Sequence, residues 1–154
     1  MSVIIEQFTM ATNSHYELLL DADPSRKIVD SYLSKSHRIE ARWGLQIIGV
    51  ILLMPTRPET LEIVNIAVKN DFQNKGIGRL LIEYALEYAR EHKFKTVEIG
   101  TGSTSLGALY LYQKCGFRMT YIDRDYFSRH YDEEIIENKI VLRDMVRMSQ
   151  DVCY

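Results

Sequence analysis

Apolar residues along this chain change period at regular intervals. Ile63-Val64-Asn65-Ile66-Ala67-Val68 is a nearly continuous apolar run with the length of a buried strand. From Leu80 to Arg90 the apolar residues recur at helical spacing, with Glu83, Glu87 and Arg90 between them. Upstream, Val3 to Phe8 reads as a first strand, and Asn13 and Ser14 are placed to cap a helix running to about Asp21. Asp23-Pro24-Ser25 reads as a cap with a first-turn proline, opening a second helix through Ser34. Arg38 to Trp43 alternates polar and apolar residues, and Gln46 to Leu53 forms the next strand after a turn at Gly44-Leu45. Pro55-Thr56-Arg57-Pro58 breaks the pattern before a strand spanning about Glu62 to Val68. Later strands are expected near Thr96 to Gly100, Phe117 to Asp123 and Ile140 to Met148, with a helix ending at Gly116. Strand, two helices, three strands, helix, strand, helix and two strands predict a mixed α/β sheet with helices on both faces. Neither a linker nor a repeat interrupts the order, so residues 1–154 are expected to form one domain.

Composition narrows the picture only slightly. The net charge is −2 and no run of Lys or Arg forms a stripe, which gives no support for nucleic-acid binding. No apolar run reaches membrane-spanning length, and Met1-Ser2-Val3-Ile4-Ile5-Glu6 lacks a signal-peptide layout, so no membrane association is expected. Cys115 and Cys153 are the only cysteines, an unpromising basis for a disulfide framework, and a reducing cytoplasm is the expected setting. His15, His37, His92 and His130 show no metal-ligand spacing with those cysteines, so no metal is expected.

Candidate chemistry enters between the apolar strand and the amphipathic helix, at Gln73-Asn74-Lys75-Gly76-Ile77-Gly78-Arg79. A glycine-bearing loop there turns backbone N–H groups outward at the positive end of a helix dipole, a natural seat for phosphate oxygens. Gly76 and Gly78 lack a Cβ, so a pyrophosphate can approach the backbone closely. A Walker loop is excluded, because Gly78 is followed by Arg79-Leu80 and not by Lys-Ser/Thr. A dinucleotide fingerprint is excluded as well, since Leu81 stands where its third glycine belongs. What remains, Gln-x-x-Gly-x-Gly, resembles the acetyl-CoA pyrophosphate loop of the GNAT superfamily of N-acetyltransferases. A second motif resembles the late helix of that superfamily, which ends Leu-Tyr-x-Lys-x-Gly-Phe: here Leu111-Tyr112-Gln113-Lys114-Cys115-Gly116-Phe117. The two motifs stand in the superfamily's order, and the resemblance is strongest over about residues 61 to 120.

The resemblance implies a mixed, mostly antiparallel sheet of six to seven strands with helices on both faces, binding acetyl-CoA as co-substrate. It assigns the backbone of Ile66, Ala67 and Val68 to the pantetheine arm, with the Val68 N–H stabilising charge at the carbonyl oxygen. It assigns Tyr112 as the acid serving the departing thiolate, a role open to a phenol of pKa ~10, although a tyrosine there can also simply pack helix on sheet. Glu62 resembles the glutamate that serves the attacking amine in the histone acetyltransferase branch. Its neighbours Leu61, Ile63 and Val64 are expected to desolvate it, or else it faces water at a strand entry. Asn65 either aligns a water or bonds a neighbouring strand. Many relatives carry an asparagine before the late helix where this chain has Gly100-Thr101-Gly102-Ser103-Thr104-Ser105-Leu106-Gly107. Ser103 or Ser105 is expected either to replace that contact to pantetheine or to cap the helix.

The acceptor is less defined. In GNAT enzymes it lies between the early helices and the late hairpin. The segment from Asp123 to Glu134 mixes carboxylates with Tyr126, Phe127, His130 and Tyr131, and could receive a cationic amine, form a solvated loop or contribute to a homodimer surface. The favoured reading is N-acetyl transfer to a primary amine of a small molecule in a ternary complex. Acetylation of a protein lysine or N-terminus, and non-catalytic acyl-CoA sensing, are the alternatives.

Overall fold

The computed structural model describes residues 2–152, so Cys153 lies outside the described residues. Its centre is a seven-stranded sheet in the order β1-β2-β3-β4-β5-β9-β6. The strands are β1 (Ile4–Gln7), β2 (His37–Trp43), β3 (Gln46–Arg57), β4 (Thr60–Val68), β5 (Thr96–Gly102), β6 (Arg118–Asp123) and β9 (Met145–Asp151). A two-stranded hairpin, β7 (Ile136–Glu137) with β8 (Ile140–Val141), stands apart from it. Every neighbouring pair is antiparallel except β4 with β5. That one parallel pair follows from its connection, α3 (Ile77–Glu91), because a parallel neighbour requires a crossover.

Helices α1 (Asn13–Ala22) and α2 (Arg26–Leu33) cover one face, closing a cluster of Leu18, Leu19, Val29, Val50 and Leu52. Helices α3 and α4 (Leu106–Lys114) cover the other, where Ile77, Leu81, Ile82, Ala85 and Ala89 pack on Ile39, Ile51, Leu53, Leu61 and Ile63. Full burial of each Leu, Ile or Val among them is worth about 1.5–3 kcal/mol, so the sheet is anchored from both sides.

Between these faces β4 carries an irregularity that positions the functional site. Its register against β3 pairs Leu52 with Asn65 but Leu53 with Ile63, leaving Val64 as an extra residue. A bulge of this kind reverses the alternation of side chains. Before it, Leu61 and Ile63 face α3; after it, Ile66 and Val68 do so, while Val64 and Ala67 join the α1 side. Pairing of β4 with β5 extends only from Thr60–Thr96 to Ile63–Ile99, so beyond the bulge the two strands part.

Several boundaries differ from those read along the sequence. The cap of α1 is Thr12, one residue ahead of Asn13, and its N–H donates to His15 Nδ1 at 2.9 Å. Ser25 caps α2 through a hydrogen bond from the Ile28 N–H, so Pro24 precedes the helix and is not part of its first turn. β3 continues through Pro55 to Arg57. β2 reaches only as far as the His37–Leu53 pair, and the β3–β4 register shifts between Pro55 and Arg57. The missing proline N–H therefore interrupts no regular ladder. The strand expected over Ile140 to Met148 is two elements, β8 and β9, and the loop ahead of it contains a short helix, α5 (Tyr126–His130).

Candidate active site

The gap between β4 and β5 opens into a cleft of about 1000 Å³. Backbone direction can be followed from one bond: the Lys69 N–H donates to the Ile48 carbonyl of β3 at 2.8 Å. Strand alternation then turns the Ala67 backbone toward β3 as well, where its carbonyl lies close to Gly49. The Ile66 and Val68 backbone groups point the other way, into the gap left by β5. Of the three strand residues expected to hold an extended ligand, Ile66 and Val68 turn their backbone into the gap, where Gln73 takes the Val68 carbonyl, and the Ala67 backbone faces β3.

At the end of this strand a 3-10 turn (Asn70–Phe72) leads to the glycine loop. Gln73 Nε2 donates to the Val68 carbonyl at 3.0 Å and to Asn70 Oδ1 at 3.2 Å, so its side chain fastens the loop to the strand. Gly76 caps α3 at φ +84°, a left-handed conformation that glycine adopts without penalty. The first helical bond runs from the Leu80 N–H to the Gly76 carbonyl, leaving the N–H groups of Ile77, Gly78 and Arg79 ahead of the ladder. No side-chain cap and no acidic residue occupies this first turn, which makes it an anion seat at the positive end of the dipole. Gly78 has a second reason to be glycine: a Cβ there would stand 3.0 Å from Leu111 Cδ2 of α4. Asn74, at φ +61°, Gly76, Gly78 and Arg79 line the cleft, with Arg79 paired to Glu83 at 3.0 Å. The Ile77 side chain is in the core, and Lys75 is exposed outside the cleft lining.

Tyr112 enters from α4, buried to 6 % exposure, packed edge-on against Phe117 and lining the cleft. Desolvation, and to a lesser degree Cys115, pushes its phenol above the usual range, so the hydroxyl is held protonated. Gly116, at φ +102°, ends this helix as expected of a C′ glycine. Tyr110, two residues before Tyr112, is 66 % exposed.

Glu62 also lines the cleft, but its surroundings differ from those expected. Leu61 and Ile63 face the opposite side of the sheet, and the carboxylate meets Arg147 of β9 at 3.4 Å. The same guanidinium reaches Glu98 at 3.5 Å, and Arg57 closes the network on Glu98. Gly100 makes this possible, since a Cβ there would sit 2.6 Å from Arg147 Nη1. Asn65 Nδ2 bonds the Leu19 carbonyl at 3.1 Å and the Tyr32 hydroxyl at 2.9 Å, tying β4 to α1 and α2. Ser105 Oγ donates to Glu137 Oε1 at 2.6 Å and makes no cap bond to α4, while Ser103 lies outside the main cleft.

At the far end of the cleft Tyr126, Phe127 and Tyr131 of the late aromatic segment meet Asp23 and Tyr32, which no local motif announced. Asp23 accepts hydroxyl bonds from Tyr32 at 3.0 Å and Tyr131 at 2.8 Å. Tyr126 and Phe127 of α5 complete that wall. Asp23 reads in sequence as a helix cap, and its partner Tyr131 is separated from it by 108 residues; only the fold brings them together.

Comparison with known proteins places these features in a family. Residues 6–117 match the acetyltransferase (GNAT) family. The chain is 53% identical over 137 residues to the uncharacterized N-acetyltransferase YvbK of Bacillus subtilis, covering 89% of this chain and 88% of that protein. An acetyltransferase of Bacillus subtilis solved in complex with CoA superposes with a TM-score of 0.94 at 49% identity, covering 99% of this chain and all of the other. An IAA acetyltransferase from Bacillus cereus superposes with a TM-score of 0.93 at 47% identity, covering 98% and 100% of the two chains.

Proposed function

The chain belongs to the GNAT family of acetyltransferases and is an acetyl-CoA-dependent N-acetyltransferase, and on that premise we propose that it acetylates a primary amine of a small molecule by direct attack in a ternary complex. The observation that carries the reading is the parting of β4 from β5 after Ile63, which puts unpaired strand backbone, the first turn of α3, Tyr112 and Glu62 on one cleft. Acetyl-CoA supplies the acetyl group.

The first turn of α3 binds the pyrophosphate with the N–H groups of Ile77, Gly78 and Arg79. Ile66 and Val68 pair with the extended arm, and the Val68 N–H holds the negative charge that develops on the carbonyl oxygen. As the amine nitrogen bonds to the carbonyl carbon and the carbon–sulfur bond breaks, Glu62, directly or through a water, takes the amine proton. Tyr112 delivers its proton to the leaving sulfur. Burial keeps this phenol protonated, so a hydrogen-bond donor and a proton stand ready for the sulfur, although the same burial makes it a weaker acid than a free tyrosine.

A small acceptor is favoured over a protein segment by the closed end of the cleft. The Tyr131–Asp23 hydrogen bond links the turn after α5 to the α1–α2 junction, and Tyr32, Tyr126 and Phe127 wall the space beside it. Release of free thiol from acetyl-CoA, measured with a panel of small primary amines and lysine peptides, tests the reading. Turnover is expected with small amines, and Glu62→Gln should lower kcat about 10²-fold, the low end of general-base effects. Turnover with lysine peptides alone would replace the small acceptor by a protein one.

A further inference from the structure

One acidic group in the cleft has no part in the transfer scheme. Asp23 follows the last residue of α1 and is 9 % exposed. Its carboxylate accepts from the Tyr32 hydroxyl, the Tyr131 hydroxyl and the Ser25 N–H at 3.0, 2.8 and 3.3 Å. Every one of these donors is neutral. Burial, and for Tyr131 also its bond to Asp23, holds both phenols protonated well past neutrality. Among the described residues no Lys, Arg or His nitrogen lies within 4.0 Å of Asp23. The cations that border the cleft are engaged elsewhere, Arg147 with Glu62 and Glu98 and Arg79 with Glu83. A carboxylate withdrawn from water is costly unless a positive charge balances it. Hydrogen bonding at Asp23 is nearly complete, so what the site lacks is a cation.

The surroundings suit one. Tyr32 and Tyr131 meet the carboxylate through their hydroxyls and line the cleft together with Tyr126, and aromatic side chains attract ammonium groups. Asn65 Oδ1 is fully buried in the adjoining wall without a donor, and the bond from its Nδ2 to the Leu19 carbonyl fixes which way the amide is turned. The acceptor half of the cleft thus has two separate acidic stations, Glu62 beside the unpaired part of β4 and Asp23 at the α1–α2 junction. Glu62 already has the Arg147 guanidinium as its counter-charge, whereas Asp23 has none among the described residues.

We infer that Asp23 binds a second positive charge of the acceptor, so that the substrate class is an amine bearing another cationic group, a diamine or polyamine. The inference rests on the reading of the cleft as an acetyl-transfer site. Glu62 serves the nitrogen that reacts, and Asp23 anchors the one that does not. Asp23 is accordingly a specificity-determining residue: its charge sets which amines are held, and the transfer step itself does not pass through it.

The test compares an α,ω-diamine with an amino alcohol of equal chain length, by free-thiol release from acetyl-CoA, in the wild type and in Asp23→Asn. Asparagine keeps the shape of the site and removes its charge. The wild type should favour the diamine by at least tenfold in kcat/KM. Asp23→Asn should raise KM for the diamine at least tenfold more than it does for the amino alcohol, with kcat for the diamine within about threefold. Equal wild-type use of the two acceptors overturns the inference, whatever the variant does. An Asp23→Asn effect of equal size on both acceptors, or on neither, overturns it too. CoA affinity and melting temperature of the variant establish that it is folded; if it is not, the wild-type ranking decides alone. Absence of thiol release with every amine, despite CoA binding, sinks the transfer reading as well, whereas turnover without preference sinks only the second-charge inference.

Discussion

The two halves of the cleft are built from different material. The half proposed to hold the donor is mostly backbone: the Ile66 and Val68 amides turned into the gap, and the open first turn of α3 behind a left-handed Gly76. The half proposed to hold the acceptor is mostly side chains, Asp23, Tyr32, Asn65, Tyr131, Glu62 and Arg147, supplied by segments far apart in the chain. Backbone groups recognise what is invariant, a phosphate and an extended amide-bearing arm, and any side chains compatible with the conformation will serve. Side chains recognise what varies, and a single substitution can rewrite them. The contrast explains how one scaffold keeps its donor while accommodating different acceptors.

The sharpest way to break the contrast is Gly76→Val. A Cβ at Gly76 meets nothing within 4 Å, so the effect is purely conformational: a β-branched residue is forced to φ +84°. The strain is on the order of 1–2 kcal/mol, and relieving it distorts the phosphate turn. CoA affinity should fall at least about 100-fold by calorimetry, while the acceptor half, which shares no bond with this turn, keeps its architecture. Tyr112→Phe is the next largest. It removes a proton donor and no packing, so kcat should drop about 100-fold, the low end of general-acid contributions, with CoA affinity within about threefold. Retention of full kcat would return Tyr112 to a packing role.

A smaller effect separates the halves by pH. Tyr32 and Tyr131 in the acceptor half and Tyr112 in the donor half have phenols raised above 10.0, in each case chiefly by desolvation. In the unfolded chain these groups ionise near pH 10. Above that pH the unfolded state binds fewer protons than the native state, so stability falls as pH rises. It is fully present below pH 10 and is lost progressively above it, which a melting series from pH 8 upward would register. A Tyr32→Phe/Tyr131→Phe double variant should flatten the decline more than Tyr112→Phe does, because it removes two raised phenols and Tyr112→Phe removes one.

The same division governs what could be read from sequence. The phosphate turn is legible because its cause is local: an apolar strand, two glycines and an amphipathic helix in succession, all within residues 63 to 90. The Leu111–Phe117 motif is legible for the same reason. Glu62 stood out by position, but its environment did not: Leu61 and Ile63 adjoin it in sequence and lie on the other face, while Arg147 lies 85 residues away and is admitted by Gly100. The bulge at Val64 hid in a run whose residues are all compatible with a buried strand, and periodicity cannot reveal where one residue is extra when both faces are apolar. Pro55 misled because a proline ends a strand only where its N–H has a partner to lose, and the end of β2 removed that partner. Serines ahead of α4 suggested a cap, yet Ser105 bonds Glu137 from the hairpin, a contact of tertiary origin.

The parting of β4 and β5 has a mechanical consequence. Strand pairs carry load across a sheet, and between these two the ladder is only four residue pairs long, from Thr60–Thr96 to Ile63–Ile99. The β1 side of the sheet is joined to the β6 side through that short seam, the helices that clasp it, the Glu62–Arg147–Glu98–Arg57 network and the Tyr131–Asp23 bond. Any extended ligand that pairs with Ile66 and Val68 acts, while it stays, as a splice lengthening the seam. The stiffness of the protein is then a property of its occupancy, and the two wings of the sheet are freest to move relative to one another when the donor has left.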